Sequence, residues 1–211
     1  ASQKGNITTT LGRGGSDYSA SLIGAALKAE AIEIWTDVDG VLTADPRVVP
    51  NARLIEQIRF DEASELASFG AKVLHPSTIL PAVDKNIPVR ILNTMRPESP
   101  GSVITADPPA GGRPLTAIAC KRNVTVIDLT STRMLLAPGF LRRVFEVFER
   151  HATSVDVVTT SEVSVSMTLD DDRRIEAIER DLAGFASVRV ERGMAIISAV
   201  GNNLRADPAM A

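Results

Sequence analysis

From residue 16 to residue 105 the sequence alternates segments of helical period with short apolar, β-branched runs, and turns bearing Gly or Asp separate them. Few folds accommodate that order. Residues 16–30 place Ala20, Leu22, Ile23, Ala26 and Leu27 for one helical face behind Ser16 and Asp17 as N-caps. Residues 31–36 then read as a strand that runs into a loop at Asp37. Residues 61–69 read as a helix stopped by Gly70, residues 76–83 as a further helix, and residues 89–92 and 102–105 as strands. This is the pattern of an α/β layer built on a mostly parallel sheet with helices on both faces. Aromatic residues are only 4% of the chain, so its core must be aliphatic.

Asp107-Pro-Pro-Ala-Gly-Gly-Arg-Pro114 has little to bury, and residues 107–115 read as a linker between a first domain (1–106) and a second (116–201), with 202–211 as a terminal stub. In the second domain residues 116–120, 124–129, 155–158, 163–169, 188–190 and 195–200 read as strands. Residues 139–151 and 173–185 read as helices, with Phe140, Val144 and Phe148 on one face of the first and Ile175, Ile178, Leu182 and Phe185 on one face of the second. The expected order is ββαββαβ, a ferredoxin-like, split βαβ arrangement.

Composition narrows the partners. With 26 acidic and 23 basic side chains the net charge is -3, too weakly placed to attract nucleic acid. No apolar run approaches the roughly 18–20 residues that span a bilayer, so no membrane partner is expected. Cys120 is the single cysteine and cannot form an internal disulfide, which suits a cytoplasmic protein.

Three clusters carry chemistry. The segment TTTLGRGGSDYSA (residues 8–20) sets a glycine turn against a helix start, where backbone N–H groups and the helix dipole favour anionic oxygens. Arg13 could grip a carboxylate with two parallel bonds, although the same spacing also fits a plain glycine turn before a capped helix. WTDVDGVLTADPR (35–47) lies where a strand ends, the position at which α/β sheets hold ligands, but alone it fits a solvated acidic loop equally. FGAKVLHP (69–76) carries Lys72 just beyond a helix end, and His75 before Pro76 reads as structural.

Together with VDVVTTSEVSVS (155–166), these segments resemble the aspartokinase family from Ile7 to about Leu204, and its lysine-sensitive branch most. The resemblance implies the C-terminal part of an amino-acid kinase fold followed by an ACT regulatory domain, with the first strands of a second, incomplete ACT unit. It implies ATP- and Mg2+-dependent phosphorylation of the L-aspartate side-chain carboxylate. By the same resemblance Arg13, Gly14, Gly15 and Ser16 hold the amino acid and Asp17 organises the catalytic lysines. Thr36, Asp37, Arg47, Lys72 and Val73 bind the nucleotide, with Lys72 also catalytic, and no protein metal ligand is implied. Leu42 stands where many relatives carry tyrosine. L-Lysine is the implied allosteric inhibitor, held by Met134, Phe140, Leu141, Ser154, Val155, Asp156, Ser161 and Glu162 in a homodimer formed through ACT domains. For Met134, Phe140 and Val155 plain core packing is the competing reading. The family's opening Lys-Phe-Gly-Gly segment has no counterpart here, so the chain alone is expected to lack activity. A non-catalytic amino-acid-sensing ACT module is the alternative.

Overall fold

The computed structural model describes residues 2–3, 7–9, 11, 14–70, 79–107, 115–131, 138–202 and 204. They form two compact units, residues 1–120 with 197–211, and residues 121–196.

In the first unit β1 (Ser2–Gln3) and β2 (Ile7–Thr8) form a small antiparallel pair. The main elements are α1 (Gly15–Leu27), β3 (Ile32–Thr36), β4 (Gln57–Arg59), α2 (Phe60–Ser68), α3 (Leu80–Asp84), β5 (Val89–Asn93) and β6 (Ser102–Thr105). Their sheet runs β3-β5-β6-β4. β3 is parallel to β5, in register from Ile32↔Val89 to Thr36↔Asn93, and β4 is parallel to β6, but β5 and β6 are antiparallel. The expected mostly parallel sheet is thus a mixed one. Residues 94–101 are too few for the dozen-residue crossover that a parallel connection needs, and a tight turn must reverse the chain. β4 was not legible in the sequence because only Ile58 of its three residues is buried, and it is a strand by virtue of pairing with β6.

The buried face of α1 differs from the expectation. Leu22, Ile23 and Leu27 are exposed, and the helix turns Ser21 and Gly24 inward. A Cβ on Gly24 would lie 2.6 Å from Cγ1 of Ile32, so α1 can approach β3 this closely only through its small residues. The predicted start of the helix before α3 falls in residues 71–78, outside the described residues. Ile32, Ile58, Leu66, Val89, Ile91 and Ile104 lead this aliphatic core. Ala117, Ala119 and Val200 join it, so residues 116–120 and 197–200 group with the first unit rather than with the second domain read from the sequence. Thr116 is fixed there by its hydroxyl, which donates to the buried carboxylate of Glu62 at 2.5 Å.

The second unit contains parts of β7 (Ala117–Thr130) and β10 (Ser187–Val200) with α4 (Phe140–Arg150), β8 (Val158–Thr160), β9 (Ser164–Leu169) and α5 (Ile175–Ala183). The order is βαββαβ and the sheet runs β10-β7-β9-β8. Two pairs of predicted strands are therefore single long ones. Asn123 (φ 60°) and Gly193 (φ 69°) take one left-handed step inside β7 and β10 where the sequence suggested breaks. β8 starts three residues later than expected, although Asp156 N–H donates to the Thr168 carbonyl and Thr168 N–H to that of Val157, so the chain ahead of β8 stays alongside β9. Ile127, Val144, Phe148, Met167, Ile178 and Leu182 form its core.

Candidate functional site

The loop before α1 ends in Gly14, at φ 70° and ψ 18°, a left-handed conformation that glycine adopts without steric cost. Its carbonyl accepts the Tyr18 N–H at 3.0 Å and so begins the helix. Gly15 opens α1, and among the described residues no side-chain cap satisfies the first-turn N–H groups, which leaves them suited to an anion. Half-buried Asp17 sits in that turn and accepts the hydroxyl of exposed Ser16 at 3.2 Å. Arg13 lies outside the described residues, as do Lys72 and Val73.

At the carboxyl end of β3, the Thr36 hydroxyl donates to Asp37 at 3.2 Å and the Thr36 carbonyl accepts the Thr94 N–H at 2.8 Å. Two residues on, Asp39 receives the Asn93 amide at 2.6 Å and an ion pair from Arg96. Asn93 is buried, and its side-chain Oδ1 accepts the Met95 N–H at 2.8 Å. Farther along the loop, Val41 N–H donates to the buried Ser102 hydroxyl at 2.8 Å. Asp39 belongs to the acidic cluster read from the sequence, but Asn93 and Arg96 do not: they lie 54 and 57 residues beyond it, and only the β3–β5 register gathers them. Arg47, expected near phosphates, turns its fork onto Asp45 with bonds of 3.0 and 2.7 Å. Hydrogen bonding to Asp45 and its charge raise the already high pKa of that guanidinium. Leu42 is half-buried and bridges to Leu54. Among the described residues no cluster of three His, Cys, Asp or Glu side chains is arranged for a metal.

In the second unit the strand registers sort the expected effector residues into two groups. Ser131 N–H donates to the Val163 carbonyl and Thr130 pairs with Ser164, so Ser161 and Glu162 lie at the end of the sheet where β7 finishes, before α4 begins with Phe140 and Leu141. Ser161 closes the β8–β9 turn, its hydroxyl lying 2.6 Å from that of Ser164. Phe140 is buried, with its ring edge-on to Phe185 at 5.8 Å, so its side chain belongs to the core. Leu141 is exposed. Ser154, Val155 and Asp156 lie ahead of β8, toward the opposite end. Val155 packs against the core and Ser154 is exposed. Asp156 lies ahead of β8 and Glu162 in the turn that follows it, so the extended chain between them, about 17 Å, is too long for one small molecule to bridge within a single chain. Met134 lies outside the described residues.

Asp156 already has a partner. Lys121 Nζ lies 3.1 Å from its Oδ2 and 2.6 Å from Oδ2 of Asp170. Burial raises the Asp156 carboxyl above its ordinary value, Lys121 opposes the rise and Asp170 adds to it. For Lys121, burial acts to lower the ammonium, and the hydrogen bonds to Asp170 and Asp156 outweigh it and leave it raised.

The chain matches the amino acid kinase family over residues 1–93. It is 46% identical over 208 residues to lysine-sensitive aspartokinase 3 of Escherichia coli (strain K12), covering 93% of this chain and 45% of that relative. It is 49% identical over 203 residues to the chloroplastic aspartokinase 3 of Arabidopsis thaliana, covering 92% and 36%. The chain belongs to the aspartokinase family. Against the solved structure of E. coli aspartokinase III in complex with aspartate and ADP, this chain gives a TM-score of 0.85 at 43% identity, covering 98% of it and 48% of that chain. The same E. coli enzyme in complex with lysine and aspartate gives 0.81 at 45% identity, covering 96% and 46%. The chain spans less than half the length of these relatives. Among the described residues no helix is long and apolar enough to cross a membrane.

Proposed function

We propose that this chain forms part of an ATP-dependent aspartate kinase inhibited by lysine. The observation that carries the reading is the uncapped start of α1 behind left-handed Gly14, with Asp17 in its first turn, in a chain of this family. The anionic groups of aspartate suit that turn, and Arg13 supplies the bidentate grip. The side-chain carboxylate is already ionised, so an oxygen attacks the γ-phosphorus, the bond to the β-phosphate oxygen breaks, and ADP departs, leaving 4-phospho-L-aspartate. No general base is needed, and positioning and charge neutralisation carry the chemistry. The carboxyl end of β3 fits the nucleotide: Thr36 and Asp37 would contact it, and Lys72 with Val73 would close that side. Arg47 must share or leave Asp45 to reach a phosphate. Mg2+ suits oxygen donors on the phosphates rather than a protein cage. The ADP and aspartate in the E. coli relative support this assignment. A cytoplasmic location rests on the lone Cys120, a free thiol, although the Arabidopsis relatives are chloroplastic by name.

The complete enzyme, supplied with ATP, Mg2+, aspartate and hydroxylamine, is expected to yield the hydroxamate diagnostic of an acyl phosphate. ATP cleavage without hydroxamate, or equal turnover of glutamate, rejects the reading.

The second unit is read as an ACT domain that carries the inhibitor between two copies of the chain. Support comes from the position of β8, the outer strand of its sheet, with all three residues exposed. Asp156 and Glu162 each lie three residues from Thr159. Antiparallel pairing of β8 with its copy about Thr159 would bring Asp156 of one chain to the same end of the shared sheet as the turn that carries Glu162 of the other, and one ligand could then meet both. The lysine and aspartate held by the E. coli relative agree with this assignment. Thr159→Asp would put like charges face to face on that axis. In the complete enzyme it is expected to weaken the dimer by sedimentation and to move lysine inhibition to higher concentration. Unchanged association and unchanged inhibition would exclude β8 from the interface.

A further inference from the structure

Lys121, Asp156 and Asp170 come from three neighbouring stretches of the second unit: β7, the segment ahead of β8, and the residue after β9. The β7–β9 register, Thr125↔Leu169, and the bond from Asp156 N–H to Thr168 bring them to one end of the sheet. One ammonium faces two carboxylates, so the group keeps a net charge of -1 and attracts a second cation. Lys121 is the only cationic side chain that pairs with Asp156 among the described residues. Its side chain is 19% exposed, that of Asp156 29% and that of Asp170 56%, and its ammonium lies nearer to Asp170.

The chemistry of the resident group decides what it does. A lysine side chain ends in the same alkylammonium as free L-lysine, so Asp156 without effector is held by an internal equivalent of the effector's own end. We propose that Lys121 is a built-in competitor for the effector carboxylate: it occupies Asp156 when no effector is bound, and gives it up to an incoming amino-acid ammonium while staying paired with Asp170. This deepens the lysine-binding reading above and rests on it. Asp170 is then a holding carboxylate, placed toward solvent, that keeps the displaced ammonium paired during the exchange. Lys121 tunes the effector concentration to which the enzyme responds, and both residues act by positioning charge rather than on the reacting atoms.

The two partners should shift the response in opposite directions. In the complete enzyme, Lys121→Met leaves Asp156 without its resident ion and is expected to lower the half-inhibiting concentration of L-lysine about threefold. Asp170→Asn leaves Lys121 with Asp156 alone and should raise that concentration by about the same factor. Each value is taken relative to the variant's own uninhibited rate, and calorimetric titration with L-lysine should give the same order without turnover. A merely structural disturbance moves both variants the same way. Equal-signed shifts, or no shift in either, overturn the exchange. Asp156→Ala separates this proposal from the reading beneath it. If that variant is inhibited at the wild-type lysine concentration, Asp156 is no effector ligand and both fail. If Asp156→Ala weakens inhibition while Lys121→Met does not strengthen it, the exchange alone fails.

Discussion

Replacing Arg13 with alanine in the complete enzyme is expected to raise the KM for aspartate about a hundredfold and to leave the KM for ATP nearly unchanged. Arg13 immediately precedes Gly14, whose left-handed backbone turns the chain into α1. A guanidinium there can donate two parallel bonds to a carboxylate of an amino acid at the helix start. On the proposed reading alanine would remove both bonds and leave the substrate carboxylate facing only backbone N–H groups. Lys72→Ala should act differently, lowering kcat and raising the KM for ATP, because on the proposed reading its charge would serve the phosphates. Initial rates with each substrate varied in turn measure the split. A main effect of Arg13→Ala on ATP would exchange the two assignments.

Gly101→Ala is expected to destabilise the first unit by about 3 kcal/mol. Gly101 sits at φ 68°, and a Cβ there would lie 2.3 Å from the Ile91 carbonyl oxygen and 2.7 Å from Cδ2 of Leu92. A left-handed backbone costs an L-residue about 1–2 kcal/mol, and overlap with a neighbouring strand adds a comparable amount because β5 cannot retreat from both β3 and β6. Trp35, the only tryptophan, lies on β3 opposite Leu92, so its fluorescence reports unfolding of this unit. A urea midpoint unchanged from the parent chain would show that the turn relaxes freely.

Gly101 illustrates what local reading misses. Its neighbours in sequence, Pro100 and Ser102, mark an ordinary turn before a strand, and nothing in them discloses a carbonyl ten residues upstream. α1 is a second instance. Leu22, Ile23 and Leu27 looked like a buried stripe, but sheet proximity selected Ser21 and Gly24, because a helix can lie on β3 only where its side chains are small. In β7 and β10, polar stretches around Asn123 and Gly193 read as breaks, yet a long ladder absorbs one left-handed residue without ending.

The candidate sites divide in the same way. TTTLGRGGSDYSA and WTDVDGVLTADPR were readable as motifs because each is contiguous, and glycine spacing and a strand end are properties of neighbouring residues; the N-cap expected at Ser16 or Asp17 falls instead on Gly14, because the glycine turn lets the helix begin earlier. Most helices and strands were likewise legible, within a few residues at their ends, from hydrophobic period alone. The positions that only the tertiary structure decided all depend on pairing between distant segments. Asn93 and Arg96 reach Asp39 because β5 lies parallel to β3. Lys121 meets Asp156 and Asp170 because β9 lies antiparallel to both β7 and β8. Asp156 and Glu162, close neighbours in the sequence, are carried to opposite ends of β8, about 17 Å apart, by extended chain whose rise per residue is more than twice that of a helix. Sequence determined which local structures this chain prefers and which motifs it carries, since both follow from torsional preference and near-neighbour spacing. Register determined which charges meet, since a strand places its side chains by the partner it bonds to, and that partner is chosen by burial across the whole sheet.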